Sequence, residues 1–473
     1  MKQLSNKLRI NKMKKVYILM TLLFAGVMAE AQSSVWDGSR KLWTHGEGTE
    51  SNPYLIESAE NLAFLAYMVD KGFETRGLHF RLTTDLDLNG SEDQPWIPIG
   101  LYDRGFDEDG CDRGSLNDMG MSPNTVFRGH FDGGNHVISN LYVDGGYRYA
   151  GLFGYADGWE ELAVIENVFV VNGYVKGINC GGIVGHGTQL VVSHCRNAAT
   201  VEGTTSAGGI VGQGAKKINN CSNAGALSGS DVGGIVGGVS GAELSECFNT
   251  GDLMASRKGG GILCVSQKAS VENCYNTGRV SADGTVADYY PAAGGLVGMA
   301  ATRFEARNCY NVGEVTGNHH VGCLIGYVPV AENVSIDYCY YLDDCSGSVY
   351  GTAKSAEEMR SDAFVTMLNQ EGSVWVKDEN HVNDGFPILT RTDLAVNDYE
   401  ENCVMLYPNP TRNVVKIIGM DVAEVQVYNA LGQMVKTAHG TSAISMEGLP
   451  QGVYLLRARD TDGKMQQARV VKQ

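Results

Sequence analysis

Through the middle of the chain, apolar residues come in short bursts bracketed by glycine. The bursts are Gly151-Leu152-Phe153-Gly154, Gly182-Ile183-Val184-Gly185, Gly209-Ile210-Val211-Gly212, Gly234-Ile235-Val236-Gly237, Gly261-Ile262-Leu263-Cys264, Gly295-Leu296-Val297-Gly298 and, more loosely, Cys323-Leu324-Ile325-Gly326. A second unit falls between consecutive bursts, at Cys195-Arg196-Asn197, Cys221-Ser222-Asn223, Cys247-Phe248-Asn249, Cys274-Tyr275-Asn276 and Cys309-Tyr310-Asn311. Both series share one period, most steps being 25 to 31 residues. Two interleaved series with one period predict a coil in which each period is one turn, stacked on its neighbours because a single turn cannot bury its own apolar side.

Alternation inside each turn gives the direction of the side chains. One position holds Val175, Val201, Leu227, Leu253, Val280 and Val315, and the position before it holds Tyr174, Thr200, Ala226, Asp252, Arg279 and Glu314. That is a strand with one inward and one solvated side. The fold class expected is all-β: a right-handed parallel β-solenoid over residues 80–345, with the repeat glycines at corners that require positive φ. Asn197, Asn223, Asn249, Asn276 and Asn311 are expected to stack as an amide ladder. Asp252, Arg279 and Glu314 should form a charge ladder at a spacing of ~4.8 Å, a structural use of these charges rather than a catalytic one.

The flanks read as short helical caps over the open strand edges. Ser58-Ala59-Glu60-Asn61 opens a helix with Leu62, Leu65, Ala66 and Val69 on one face and Gly72 at its end, within an N-terminal cap of residues 32–79. Ser355-Ala356-Glu357-Glu358 opens a similar helix carrying Met359, Phe364 and Leu368, within a C-terminal cap of residues 346–390. A linker, 391–404, leads to short alternating strands: Val414 to Ile418, Ala423 to Tyr428, a turn at Asn429-Ala430-Leu431-Gly432, a strand from Gly452, a turn at Asp460 to Gly463 and a last strand through Val470 and Val471. This spacing predicts a small C-terminal β-sandwich over 405–473. At the other end, Lys14 and Lys15, the apolar stretch Val16 to Ala29 and the small-residue site Ala29-Glu30-Ala31 read as a secretory signal of residues 1–31, cleaved after Ala31. The mature chain is then expected to have no transmembrane segment.

Composition changes this picture in three ways. Sixty-one glycines in 473 residues, beside 43% hydrophobic residues, fit many tight corners around a maintained core. A formal charge of −17 disfavours nucleic acid and anionic membranes as partners, because a chain without a basic patch has nothing to exchange for counterions. Twelve cysteines in an exported chain ordinarily mean disulfides. Cys195, Cys221, Cys247, Cys274, Cys309 and Cys339, however, share one repeat position, where in-register side chains point the same way and oppose the disulfide dihedral, so a buried thiol ladder is favoured.

The Gly-Leu/Ile-Val-Gly units resemble the GLUG-motif repeats of bacterial surface proteins, including adhesins and peptidases, as does the lead-in Phe127-Arg128-Gly129-His130-Phe131 with Ile138-Ser139-Asn140-Leu141. The C-terminal segment resembles the type A sorting domain of the type IX secretion system of the Bacteroidetes, through Tyr407-Pro408-Asn409-Pro410, Val427-Tyr428-Asn429, Leu431-Gly432-Gln433, Gly452-Val453-Tyr454 and Lys472. That resemblance implies passage through the periplasm, engagement of the type IX machinery and delivery to the outer cell surface or the extracellular space, with the tag removed.

No nucleophile, zinc or phosphate motif is present, no catalytic residue is assigned and no cofactor is expected. His319 and His320 are placed in a corner. Asp103, Asp107, Glu108, Asp109 and Asp112 crowd one loop that could offer carboxylate oxygens to calcium, but lacks the twelve-position loop spacing, so a solvated acidic loop is the preferred reading. The step from Gly261 to Gly295 is seven residues longer than its neighbour, and the extra residues include Asp288-Tyr289-Tyr290-Pro291. Insertions emerge together on a solenoid face, and Asp288, Tyr289 and Tyr290 are the candidate ligand-binding residues, either stacking on a saccharide or only covering the coil. The leading reading is a cell-surface interaction protein, adhesin-like and in contact with a surface glycan or host matrix protein. A β-helix polysaccharide lyase or hydrolase, which needs carboxylates or a basic residue converging on a cleft, and a noncatalytic subunit of a surface assembly are the alternatives.

Overall fold

A computed structural model describes residues 35–102, 125–284, 290–347, 350–370 and 372–390, and, in the C-terminal part, 405–407, 411, 413–418, 422–429, 434–461 and 465–472. The leader with Ala31, the acidic loop with Asp103 to Asp112, Asp288, Tyr289, Pro408 to Pro410 and Gly432 lie outside the described residues.

Each turn contributes strands to four sheets whose pairings are all parallel. In one turn, Leu190–Ser193 belongs to sheet 1, Arg196–Asn197 to sheet 2, Thr200–Gly208 to sheet 3 and Val211–Gly214 to sheet 4. Sheets 1 and 2 run for ten strands each, from Tyr54–Ile56 to Val334–Asp337 and from Leu86–Asp87 to Thr352–Lys354. Sheet 4 has seven strands, from Phe153–Ala156 to Ile325–Tyr327. The row Val175, Val201, Leu227, Leu253, Val280, Val315 is in register along sheet 3, and all but the half-buried Val315 are buried in one continuous core.

The asparagine ladder is present. Each amide from Asn197 to Asn276 donates to the carbonyl oxygen of the next asparagine at 2.8 Å and to its own backbone two residues on, as Asn249 does to Gly251 at 2.8 Å. Asn311 ends the row by donating to the Cys323 carbonyl at 3.2 Å. The six ladder cysteines are free and buried, each thiol donating to the carbonyl two residues back, as in Cys247 to Ser245 at 3.2 Å. One disulfide does form outside the ladder, between Cys323 and Cys345. Of the charge ladder, the Arg279 and Glu314 side chains meet at 3.4 Å, whereas Asp252 accepts from the Arg279 backbone N–H and not from its guanidinium.

The repeat glycines play a different part from the one expected. None of Gly182, Gly209, Gly234, Gly261 and Gly295 has positive φ. They are needed because chains approach too closely for a Cβ: one on Gly234 would fall 2.7 Å from the Asn249 Cβ and closer still to the Gly261 carbonyl oxygen. The left-handed corners belong instead to the residue before the cysteine position: Asn140, Asn167, His194, Asn220, Glu246, Asn273, Asn308 and Tyr338, with φ of 51 to 57°. Asparagine tolerates that region best among non-glycine residues, and it holds five of these eight corners.

At the start of the coil, helix Ala59–Asp70 is capped by the Ser58 hydroxyl and buries Leu62, Leu65, Ala66 and Val69 in the solenoid core. The expected C-terminal helix is two helices, Ala356–Met359 and Asp362–Leu368, because Ser361 accepts from the Phe364 N–H and starts a second helix. These helices pack on the side of the coil. Phe248, Tyr275 and Tyr310 stack along sheet 2, with ring separations of 4.8 and 5.1 Å, and Met359, Phe364, Leu368 and Trp375 cover them. Trp375 donates to Asn273, and Tyr310 to the Pro387 carbonyl.

The C-terminal part has an antiparallel three-stranded sheet (Met405–Tyr407, Val414–Ile418, Ala443–Ser445) and a four-stranded one (Met434–His439, Val422–Tyr428, Gly452–Asp460, Met465–Lys472). Val415, Ile417, Val425, Val427, Ile444, Leu456 and Val470 share their core. Tyr454 is buried there and donates to the Pro450 carbonyl at 2.7 Å, and Gly452 takes a φ of 148° that favours glycine.

Candidate functional site: a lateral groove between sheets 3 and 4

Where sheet 3 hands the chain to sheet 4, the two strands of each turn are separated only by the glycine-bracketed burst. Two rows of side chains flank this corner. The sheet 3 row is Tyr149, Asn179, Ser206, Asp231, Lys258, Ala292, His320. The sheet 4 row is Tyr155, His186, Gln213, Gly238, Val265, Met299, Tyr327. Six rungs at ~4.8 Å make the pair of rows roughly 29 Å long.

Between the rows lies a cavity of about 420 Å³. Its lining mixes polar side chains, Asn179, Thr188, Ser206, Gln213, Asp231 and Arg257 among them, with apolar surface from Ala215, Val239, Val265 and the glycines. The glycines keep it open. A Cβ on Gly238 would meet nothing nearer than the Val265 carbonyl oxygen at 4.0 Å.

Aromatic rings close both ends of the rows. At one end His186 lies over Tyr149, centroids 4.5 Å apart and planes 15° from parallel, with Tyr155 at 5.3 Å and Tyr102 against both tyrosines. Burial pulls the His186 imidazole down to about 4, so the ring is neutral at neutral pH, and its buried Nδ1 has no hydrogen-bond partner among the described residues. Burial likewise pushes the Tyr155 phenol up to about 12. At the other end Tyr290 stacks on Tyr327, 5.0 Å apart and 6° from parallel, and His320 sits 4.4 Å from Tyr327. Tyr290 remains 54% exposed.

Charge is concentrated in the middle. Arg257 grips Asp231 through two bonds, Nε to Oδ1 at 2.7 Å and Nη2 to Oδ2. Lys258 stands next to Asp231 in register and is 7% exposed. Burial, abetted by Arg257 and opposed by Asp231, pulls its ammonium below the usual lysine range.

Of the residues singled out from sequence, the structure places Tyr290 at the end of this groove. His320, assigned to a corner, belongs to the strand His320–Gly322 and joins the same aromatic group, while His319 is exposed. The trio Asp231, Arg257 and Lys258 was missed. It becomes visible on counting backward from each burst: three residues before Gly182, Gly209, Gly234, Gly261 and Gly295 stand Asn179, Ser206, Asp231, Lys258 and Ala292. Among the described residues no group of three or more His, Cys, Asp or Glu side chains is arranged to hold a metal ion.

A stacked-turn solenoid with a lateral groove, followed by a separate small sandwich, defines a class of exported repeat protein carrying its own address. Residues 405–473 match the secretion system C-terminal sorting domain family. That domain directs the chain to the type IX machinery and thence to the cell surface or extracellular space, and no helix among the described residues is long and apolar enough to cross a membrane. Beyond the tail, the chain is similar to halomucin of Haloquadratum walsbyi, 30% identical over 168 residues, which are 35% of this chain and 2% of halomucin. It is also similar to a putative Gly-rich membrane protein of Evansella cellulosilytica, 30% identical over 164 residues, 33% of this chain and 15% of that protein. The chain therefore spans only a small part of the length of either relative.

Proposed function

We propose that this is an adhesin-like surface protein of the GLUG-repeat type whose solenoid contacts a glycan along the groove between sheets 3 and 4. The observation that carries the reading is the groove itself: rows of ~29 Å with polar and charged side chains set in a partly apolar floor and aromatic faces at both ends, on an exported chain. Saccharides present hydroxyls to polar side chains and C–H faces to aromatic rings, and binding sites are concave with a few placed polar groups. The buried, unpartnered His186 Nδ1 adds an acceptor or donor for such a hydroxyl.

One observation favours a second reading, a polysaccharide lyase. Asp231, Arg257 and Lys258 bring to one cleft the basic residue and carboxylate that such chemistry requires, although both Asp231 oxygens are engaged by Arg257. A glycosidase pair has less support, since Asp231 is the one carboxylate among the described lining residues.

The test is a glycan and host-matrix array probed with the mature secreted protein, with product analysis of every hit. Gly238→Tyr, which fills the cavity where a Cβ meets nothing close, and Tyr290→Ala/Tyr327→Ala, which removes one aromatic end, are the controls. Binding without turnover, lost in Gly238→Tyr and weakened in the tyrosine variant, is the expected result. Binding unaffected by Gly238→Tyr contradicts the assignment of the groove, and unsaturated products move the reading to the lyase.

A further inference from the structure

The charge balance of the groove points to its ligand. The whole chain carries −17, yet among the described residues the charged groups that line the cavity are one cation, Arg257, and one carboxylate, Asp231, with a second cation, Lys258, beside Asp231 in the same register row. Asp231 is not available to both. Its Oδ1 and Oδ2 each accept from Arg257, and the two side chains are 14% and 25% exposed. The Lys258 ammonium makes no hydrogen bond and no ion pair among the described residues, although the residue is 7% exposed. Asn179, Ser206 and Asp231 occupy the same register position in the preceding turns and line the cavity, and in-register parallel strands send that position to the same side.

A largely buried ammonium whose neighbouring carboxylate, Asp231, is already engaged by Arg257 is costly, and a charge-assisted hydrogen bond to a second anion offsets that cost. Burial lowers the affinity of this amine for its proton, with Asp231 opposing the shift and Arg257 adding to it. Burial of Lys258 is not needed for packing, since the same row holds Ala292 one turn later and Asn179 and Ser206 earlier.

We propose that Lys258, supported by the Arg257–Asp231 pair, receives the acidic substituent of a saccharide, a uronate carboxylate or a sulfate ester, so that the groove selects anionic over neutral glycans. This rests on the glycan-contacting reading and names its ligand class. The aromatic ends hold neutral ring faces, and the acidic group of a residue between them meets the ammonium near the middle of the rows.

The experiment is calorimetric titration of the mature chain with three probes: an oligogalacturonate, the same oligomer with its carboxyls reduced to alcohols, and a sulfated oligosaccharide of similar length. The acidic probes are expected to bind about tenfold or more tightly than the reduced one, the scale of one charge-assisted hydrogen bond in a buried site, and to weaken as salt rises. Lys258→Met should erase the preference while leaving the thermal transition in place, and Lys258→Arg should restore most of it. The sulfated and carboxylated arms identify which anion is preferred, and preference for either supports the proposal. Equal binding of the reduced oligomer by the wild-type protein, blocked by Gly238→Tyr, overturns the anionic selection and leaves the glycan groove standing. A preference that survives in Lys258→Met overturns the role of this residue. Binding of no saccharide, here and on the array, overturns both.

Discussion

The solenoid and the C-terminal sandwich are both β-structures with apolar cores, yet they solve register differently. In the sandwich, the strands of each sheet are antiparallel, and Glu424 lies opposite His439 on one side and Arg459 on the other. Each side chain there has local neighbours of different kinds. In the solenoid, the same position recurs directly above and below itself, so one residue choice becomes a row: asparagine amides at 2.8 Å, thiols, and stacked rings on sheet 2. The lesson is that a fault in the solenoid is shared by adjacent turns, whereas a fault in the sandwich stays where it is made. The groove follows from the same property, since rows of outward-facing positions make a continuous surface and scattered ones do not.

The sharpest way to break this comparison is Gly234→Ala. Its Cβ would collide with the Gly261 backbone and with Asn249, which no rotamer change relieves, and the expected loss is about 3 kcal/mol or more in urea unfolding. Next comes Asn249→Ala, which leaves the Asn223 amide and the Asn276 carbonyl without ladder partners in a buried row. A loss of about 2 to 3 kcal/mol is expected, with faster amide exchange in the turns on both sides of residue 249. Exchange that rises only at residue 249 contradicts the shared-row account.

Acid should act on the groove through His186. Its folded-state value, about 4, lies below the ordinary histidine value of 6.5, so the unfolded chain binds the extra proton first. The stability contribution is complete above pH 6.5 and is lost as pH falls toward 4, by roughly 2 to 3 kcal/mol. His186→Gln should remove that part of the acid slope, measured by the pH dependence of the urea midpoint.

Smaller effects are expected elsewhere. Tyr454→Phe in the sandwich removes the bond to the Pro450 carbonyl and should cost about 1 kcal/mol, confined to the tail's transition. Arg279→Ala cuts an exposed pair with Glu314 and should change stability by less than about 0.5 kcal/mol, the difference vanishing in high salt.

Much of this was legible in the residues. The inward row of sheet 3, the amide ladder, the free thiols and the Ser58-capped helix are each written as one residue type at one interval. What was not legible depends on contacts between positions. The glycines were assigned to left-handed corners because the bursts mark corners, but only the packed structure reveals that backbone proximity, not φ, excludes a Cβ there. The C-terminal helix was drawn as one because its apolar spacing continues through Arg360, while Ser361 restarts the capping. The Cys323–Cys345 bridge joins a repeat position to a loop after the last full turn, a pairing that spacing cannot select.

The groove was hidden by bulges. Sheet 3 shifts register between Gly177 and Asn179, Gly203 and Ser206, and Gly229 and Asp231, so counting forward from the valine row puts Asp231 and Lys258 in different columns. Tyr290 was found as part of a sequence-adjacent pair, whereas its partner in the described structure, Tyr327, is a turn away.

The central claim is that the solenoid groove makes the contact while the tail carries the address. Hydrogen–deuterium exchange of residues 32–473, with the C-terminal tag retained, in the presence and absence of the tightest saccharide from the array, tests it most directly. The account predicts slowed exchange at residues 213–214, 237–240, 265–267 and 327, and no change over 405–472. Protection on the opposite strands, such as Lys217–Asn219 of sheet 1, or in the tail, with the groove unchanged, would contradict it.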